Sequence, residues 1–187
     1  MVIDLAAAGE RAAVVVPLLF TEAFHARIDV PAAVGRAGRA AGIDLVLSPV
    51  LGTGDDVADV VAARLAAAGT QPDEPVLLYA VGSSRPEANA AVIGLGHRLA
   101  AARDVPVRVG FGTTEPRAAE VLAGLMRDGD RPGTVVPLFV ASGLLLDAVA
   151  PSVEAAGWRL AGPLGTLLAP LVSQRYHTAV RNLSGLH

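Results

Sequence analysis

Two stretches of this chain repeat one another at a fixed offset. Residues 9–20, Gly-Glu-Arg-Ala-Ala-Val-Val-Val-Pro-Leu-Leu-Phe, return 120 positions later as Gly129-Asp130-Arg131 followed by Val135-Val136-Pro137-Leu138-Phe139-Val140. Pro31 falls on Pro151 at the same offset, and with a short gap Leu51-Gly52-Thr53 falls on Leu164-Gly165-Thr166. A repeat of this length implies two copies of one α/β unit facing each other across a cleft. The copies are not equivalent. After the repeated strand the first carries His25 and the second Leu145, so the chemistry is expected on one side only.

The elements alternate as a parallel sheet requires. In the second copy, strands are predicted over 76–81, 105–111, 134–140 and 159–162. Helices follow from Pro86 to about Arg103, from Glu115-Pro116 to Gly129, from Leu146 to Ala156 and from Leu167 to Asn182, with Pro86 suited to a first helical turn. In the first copy, 2–8 ends a helix, Val14–Phe20 and Leu45–Val50 are strands, and Pro31–Ala41 and Asp55–Ala68 are helices. The last of these carries Val57, Val60, Val61, Leu65 and Ala68 on one stripe. The fold class is therefore α/β: two similar lobes, 1–70 and 75–187, each a parallel sheet flanked by helices. The second has four strands and the first lacks its first two. Placing the missing elements puts roughly 45 residues ahead of Met1 if the duplication was once complete. Strand Val14–Phe20 then presents an apolar edge, and self-association through that edge is expected.

Composition narrows the function. Apolar residues make up 52% and aromatics 4%, which suits buried parallel strands under Ala-rich helices. A net charge of −3 with interspersed signs provides no basic stripe for nucleic acid. The absence of cysteine removes disulfides, thiolate metal sites and Cys nucleophiles. The apolar stretch from Leu160 to Val172 is broken by Gly162, Pro163, Gly165 and Pro170 and is too short to span a bilayer. No export signal is legible, and a cytoplasmic location is expected.

His25 is the first candidate for chemistry. It follows a predicted parallel strand, at the rim where open α/β sheets bind ligands, and an imidazole there can ligate a metal or take a proton near neutral pH. A plain loop histidine is the alternative. Gly82-Ser83-Ser84 before a helix could hold an anion on backbone N–H groups, or form a strand-to-helix turn capped by Ser84. Gly110-Phe111-Gly112 lacks the third glycine of a dinucleotide fingerprint and has Glu115 in its place, so no nucleotide is expected. Glu115 is either a helix-start acid or a ligand facing the cleft. His97 and His177 fall in helices with core-edge or solvated roles, and Trp158 is expected in the core.

The segment from Pro17 to Pro31, Pro-Leu-Leu-Phe-Thr-Glu-Ala-Phe-His-Ala-Arg-Ile-Asp-Val-Pro, resembles the sirohydrochlorin chelatase family, enzymes that insert cobalt or iron in cobalamin and siroheme synthesis. In the second copy, Gly82-Ser83-Ser84-Arg85-Pro86-Glu87-Ala88-Asn89 is similar to the family's His-Gly-Ser-Arg-x-Pro-x-Ala-Asn opening, with Val81 where the metal-binding His would stand. The resemblance covers essentially the whole chain. It implies a metal site made of a His after the first strand, a Glu after the second and a His after the third. In the first copy only the last is present, as His25. In the second the positions read Val81, Glu115 and Leu145, leaving the carboxylate alone.

The resemblance further implies that Co²⁺ or Fe²⁺ is the metal substrate and sirohydrochlorin the partner, with His25 as ligand and proton acceptor. His and Glu ligands with open coordination positions hold such a metal without trapping it. Basic side chains and helix N-termini would orient the substrate carboxylates, with Arg27, Arg85 and the Gly82-Ser83-Ser84 turn as candidates. A degenerate homologue that binds a tetrapyrrole or metal without insertion is the rival reading. A periplasmic-binding-like or sugar-phosphate α/β protein is a third, and would want a Gly-rich phosphate loop the chain lacks.

Overall fold

A computed structural model of the protein describes residues 2–22, 25–103, 105–128 and 131–184, and for His25, Ala26, Leu183 and Ser184 the backbone alone. The repeated Gly129-Asp130 pair lies outside the described residues. The chain forms two compact units, Met1–Gly52 with Ala169–His187, and Thr53–Leu168.

In the second unit, β3 (Val76–Ala80) lies between β4 (Val107–Phe111) and β5 (Thr134–Pro137), and β6 (Arg159–Leu160) extends the sheet beyond β5; all pairings are parallel. Every residue of β3 is buried, as expected for a strand hydrogen-bonded on both sides and covered on both faces. Its side chains alternate between the faces. Leu77 and Tyr79 meet Leu122 and Leu125 of α5 (Ala118–Arg127) and Val149 and Val153 of α6 (Leu144–Ala155), with Trp158 in the same core. On the other face lie α3 (Asp55–Ala67) and α4 (Pro86–Arg103), which pack on each other and on β5 and β4. Their buried residues are Val57, Val60, Val61 and Leu65 in the first and Val92, Leu95 and Leu99 among those of the second, so the expected apolar stripe of α3 is the face it buries.

The first unit has a two-stranded parallel sheet, β1 (Ala12–Val15) with β2 (Asp44–Leu47). Among the described residues, the other side of β1 has no strand partner. α1 (Val2–Ala7) packs on α2 (Val30–Ala41), α2 on β2, and α7 (Ala169–Ser184) on β1.

These compact units do not coincide with the sequence copies 1–70 and 75–187. The last helix of each copy packs with the strands of the other: α3 lies in the unit of β3 to β6, and α7 lies in the unit of β1 and β2. An amphipathic stripe states that a helix buries one face, not which sheet receives it.

Three local expectations are corrected. β1 ends at Val15 rather than Phe20, because Pro17 has no N–H for a ladder. His25 does not lie on an irregular loop: its backbone opens a single wide turn, His25–Asp29, that leads directly into α2. Such an i to i+5 turn gives room for Pro31, whose ring would crowd the carbonyl four residues earlier in a regular helix. α5 begins at Ala118, not at Glu115, because Arg117 ahead of it is extended (φ −67°, ψ 134°) and the Pro116 carbonyl is turned to accept the Phe111 N–H at 2.9 Å.

At the N-terminal ends of β3, β5 and β6, a cleft of about 450 Å³ is lined by Asp73, Glu74, Arg131 and Arg159 among others. Its charges are matched: Arg131 pairs with Asp73 at 2.8 Å and Arg159 with Glu74 at 3.1 Å. Glu74 also accepts from the Thr134 hydroxyl at 2.7 Å and the Gln71 N–H at 3.0 Å. Burial alone would raise the Glu74 pKa, but the Gln71 and Thr134 hydrogen bonds and the Arg159 charge outweigh it and hold the carboxyl below its ordinary value. A carboxyl depressed on folding stabilises the protein above its unfolded pKa and loses that contribution as pH falls through the folded value. Glu74→Gln removes this linkage. Urea midpoints measured below about pH 4.5 should therefore fall more steeply with acid for the wild type than for the variant.

Candidate functional site

Ligands of parallel α/β sheets bind at the C-terminal ends of the strands, so the site is built from the segments that leave β1, β3, β4 and β5. In the second unit, β3 runs out at Val81 and the chain turns through Gly82, Ser83 and Ser84 into α4. Gly82 has φ +88°, and a Cβ there would stand 2.6 Å from Thr114 Cγ2 and 3.0 Å from Phe111 Cβ. Only glycine tolerates both the backbone and the approach. Ser83 then closes the turn: its hydroxyl accepts the Arg85 N–H at 3.1 Å. Ser83 rather than Ser84 thus makes the serine turn onto Arg85, the residue just ahead of α4 whose carbonyl accepts the Asn89 N–H at 3.4 Å.

Asn89, one turn into α4, locks the same turn from the other side. Its Oδ1 accepts the Ser83 N–H at 2.9 Å and its Nδ2 donates to the Ser83 carbonyl at 2.8 Å. The Ser83 N–H is therefore occupied within the fold. Gly82, Ser83, Pro86 and Asn89 read together as a scaffold that fixes how β3 enters α4. Arg85 is half-buried, and its backbone carbonyl accepts from the Ala88 N–H at 3.2 Å.

Beyond β4, Gly112 passes over Tyr79. A Cβ on Gly112 would sit 2.7 Å from the Tyr79 hydroxyl oxygen, so the second glycine of Gly110-Phe111-Gly112 serves close packing. Tyr79, 2% exposed, donates its hydroxyl to the Leu145 carbonyl at 2.8 Å and stacks on Phe139 with ring centres 5.2 Å apart. Burial raises its phenol pKa, so it remains a donor.

Glu115 follows on an exposed loop. Its carboxylate accepts the Arg117 N–H at 3.0 Å and faces the Arg117 guanidinium at 3.6 Å, which itself donates to the Gly112 carbonyl at 2.6 Å. Glu120 shares a hydrogen bond with Glu115, and that bond and the Glu115 charge raise the Glu120 pKa, with Arg117 opposing. Glu115 is thus half of a carboxylate pair. Its spacing to Glu120 gave no hint of this, because the two meet only once 115–117 lies outside the helix.

Apolar side chains are also exposed at this rim. Val81 is 43% exposed and Leu144 is 87% exposed. Among the described residues, no three His, Asp or Glu side chains are grouped to hold a metal.

In the first unit, the segment leaving β1 is pinned at Leu19, whose carbonyl accepts the Leu51 N–H at 2.9 Å and the Gly52 N–H at 3.4 Å. Glu22 and Arg27 form an exposed ion pair at 3.2 Å across the intervening residues. Arg27 is therefore matched by a carboxylate of its own segment. The backbone of His25 is placed between these two residues, and its side chain lies outside the described residues. His97 and His177 are exposed on α4 and α7, as their helical positions predict.

Parallel sheets flanked by helices, with a Gly-Ser turn leading from the central strand of the second unit into α4, make an α/β protein of the chelatase fold. The CbiX family model matches residues 1–68 and 75–178. The chain belongs to that family, the sirohydrochlorin chelatases. A structure of SirB from Bacillus subtilis with Fe³⁺ is 26% identical, with a TM-score of 0.74 over 95% of this chain and 73% of that one. The sirohydrochlorin chelatase SirB from Bacillus subtilis subspecies spizizenii, in complex with cobalt, is 25% identical, with a TM-score of 0.70 over 94% and 70%. CbiX, the terminal enzyme for biosynthesis of siroheme in denitrifying bacteria, is 19% identical, with a TM-score of 0.65 over 93% and 80%, and shows the fold. A comparison with curated proteins returned no match. No described helix is long and apolar enough to cross a membrane.

The scaffold reading of the turn has a direct consequence for stability. Asn89→Ala removes two bonds to Ser83 and should lower unfolding free energy by about 1–3 kcal/mol. Ser83→Ala should cost about 0.5–1.5 kcal/mol as one lost turn hydrogen bond, with Ser84→Ala close to zero. Chemical denaturation of the three variants measures the order.

Proposed function

We propose that this chain inserts a divalent metal, Co²⁺ or Fe²⁺, into sirohydrochlorin, as a lyase of cobalamin or siroheme biosynthesis. The observation that carries this reading is the match of both copies to the CbiX family together with a histidine, His25, kept past the strand of one copy only. As the metal enters, two pyrrole N–H protons leave. His25 would hold the metal first and, once the metal has passed to the macrocycle and freed the imidazole nitrogen, accept one of those protons, the other leaving to solvent.

Arg85 is the better placed of the two arginines to meet a substrate carboxylate, because no ion pair among the described residues engages it. Arg27 would have to exchange Glu22 for the substrate. The Gly82-Ser83-Ser84 turn contributes through the α4 N-terminus rather than through the Ser83 N–H. Glu115 is the remaining carboxylate of the second copy, and its pairing with Arg117 and Glu120 favours handling a cation in passing over retaining it. The open edge of β1 supports self-association with a second copy, and a clean monomer on size-exclusion chromatography would remove that part of the proposal.

One observation favours a second reading, in which the chain binds a tetrapyrrole or metal without inserting it. The second copy has Val81, exposed, and Leu145, half-buried, at the positions where the resemblance expects histidines, and no ligand triad is present among the described residues.

The two readings separate in an insertion assay with Co²⁺ or Fe²⁺, following the change in sirohydrochlorin absorbance. Insertion is expected for the wild type, falling at least about a hundredfold in His25→Ala. Equal rates for the two proteins would remove His25 from the site. Saturable binding of sirohydrochlorin with no insertion would establish the second reading.

A further inference from the structure

We infer that Arg175, on the terminal helix of the second copy, is a positioning residue for the segment that carries His25. This rests on the proposed role of His25 as metal ligand. Arg175 is half-buried on α7. Its Nε donates to the Val50 carbonyl at 3.1 Å and its Nη2 to the Leu51 carbonyl at 2.5 Å. A guanidinium presents such a fork as one rigid plane, so two consecutive carbonyls are fixed by a single side chain. The peptide it fixes is the one that pins the His25 segment. Leu51, wholly buried, gives its N–H to Leu19, and Gly52 does the same. The connection thus runs from Arg175 through Leu51 to Leu19, six residues ahead of His25, and every part of it lies in one compact unit.

The other unit supplies an internal comparison. There Arg64 of α3 donates to the Leu164 carbonyl at 3.1 Å, Leu164 donates its N–H to Phe139 at 2.8 Å, and Gly165 donates to Val140 at 3.0 Å. Phe139 stands at the repeat position of Leu19, and Leu145 at that of His25. The arrangement is the same but looser. Arg64 Nε has no hydrogen-bond partner among the described residues, and the two N–H groups go to two carbonyls instead of converging on one. The convergent, forked version is found only in the unit with the imidazole. Metal sites depend on such outer supports, because a ligand held off its angle loses affinity before the fold loses stability. The chain leaving β1, six residues ahead of His25, is therefore held at Leu19 through a helix that the second copy provides.

The test compares Arg175→Met with Arg64→Met, using Arg175→Lys as the conservative variant and His25→Ala as the reference. Co²⁺ affinity is measured by calorimetry and thermal unfolding is recorded for each protein. Arg175→Met should weaken Co²⁺ binding about tenfold or more, while Arg64→Met, with a comparable loss of stability, should retain wild-type affinity. Arg175→Lys, which restores one donor but not the fork, should fall between. If Arg175→Met binds Co²⁺ like the wild type while His25→Ala does not, the inference fails and the role of His25 stands. If both methionine variants lose affinity in proportion to stability, Arg175 is only structural and the inference also fails. If His25→Ala itself binds like the wild type, the reading of His25 as ligand fails first.

Discussion

The second unit is organised by one buried strand. β3 is hydrogen-bonded to β4 along one side and to β5 along the other, and none of its five residues reaches solvent. A strand in that position must be apolar on both faces, and Val-Leu-Leu-Tyr-Ala satisfies this with a single polar atom. That atom, the Tyr79 hydroxyl, is spent on the Leu145 carbonyl, which ties the centre of the sheet to the start of α6. Because all its neighbours run parallel to β3, the turns that follow the strands collect at one end. The rim is a consequence of the ladder, and whatever the rim binds depends on it.

At that rim, residues that look like ligand contacts in a linear motif turn out to hold one another. Gly82 permits the approach of the β4 loop, the Ser83 hydroxyl holds the Arg85 N–H, Pro86 begins α4, and the Asn89 amide closes the turn. A motif of this kind can persist in a copy that has lost its metal-binding side chains, since its members are needed to join a strand to a helix. By the sequence resemblance, Val81 and Leu145 of the second copy stand where histidines would be expected, and the turn beside them is intact.

The duplication has a further effect on how the chain must fold. Each copy's closing helix packs with the strands of the other copy, so neither repeat in sequence is a self-sufficient core. Local contacts within β3 to β6 can form early, but α3 and α7 must find strands that are distant or belong to the other repeat. Closing such loops costs entropy that grows slowly with length, and the buried faces of Leu65 and Leu171 supply the apolar area that offsets it.

Much of this was legible from residues alone. Pro86 and the Ala-rich run to Arg103 marked α4 at its observed ends, the stripe of α3 was the stripe it buries, and Trp158 entered the core. The resemblance in 17–31 and 82–89 placed the chain in its family. What failed did so for identifiable reasons. The run Val14–Phe20 is apolar throughout, yet the ladder ends at Val15, because hydrophobicity does not report a missing donor at Pro17. Ser83 and Ser84 are chemically alike, and only backbone direction decides which of them holds the Arg85 N–H. The sequence by itself determined the alternation of elements, the apolar strands and the single retained histidine, since these follow from side-chain chemistry and local periodicity. Tertiary structure alone decided that Glu115 meets Glu120, that α3 and α7 exchange partners, and that Arg175 reaches Leu51. Each of those contacts joins groups whose encounter depends on where the backbone carries them, and a linear pattern does not encode that direction.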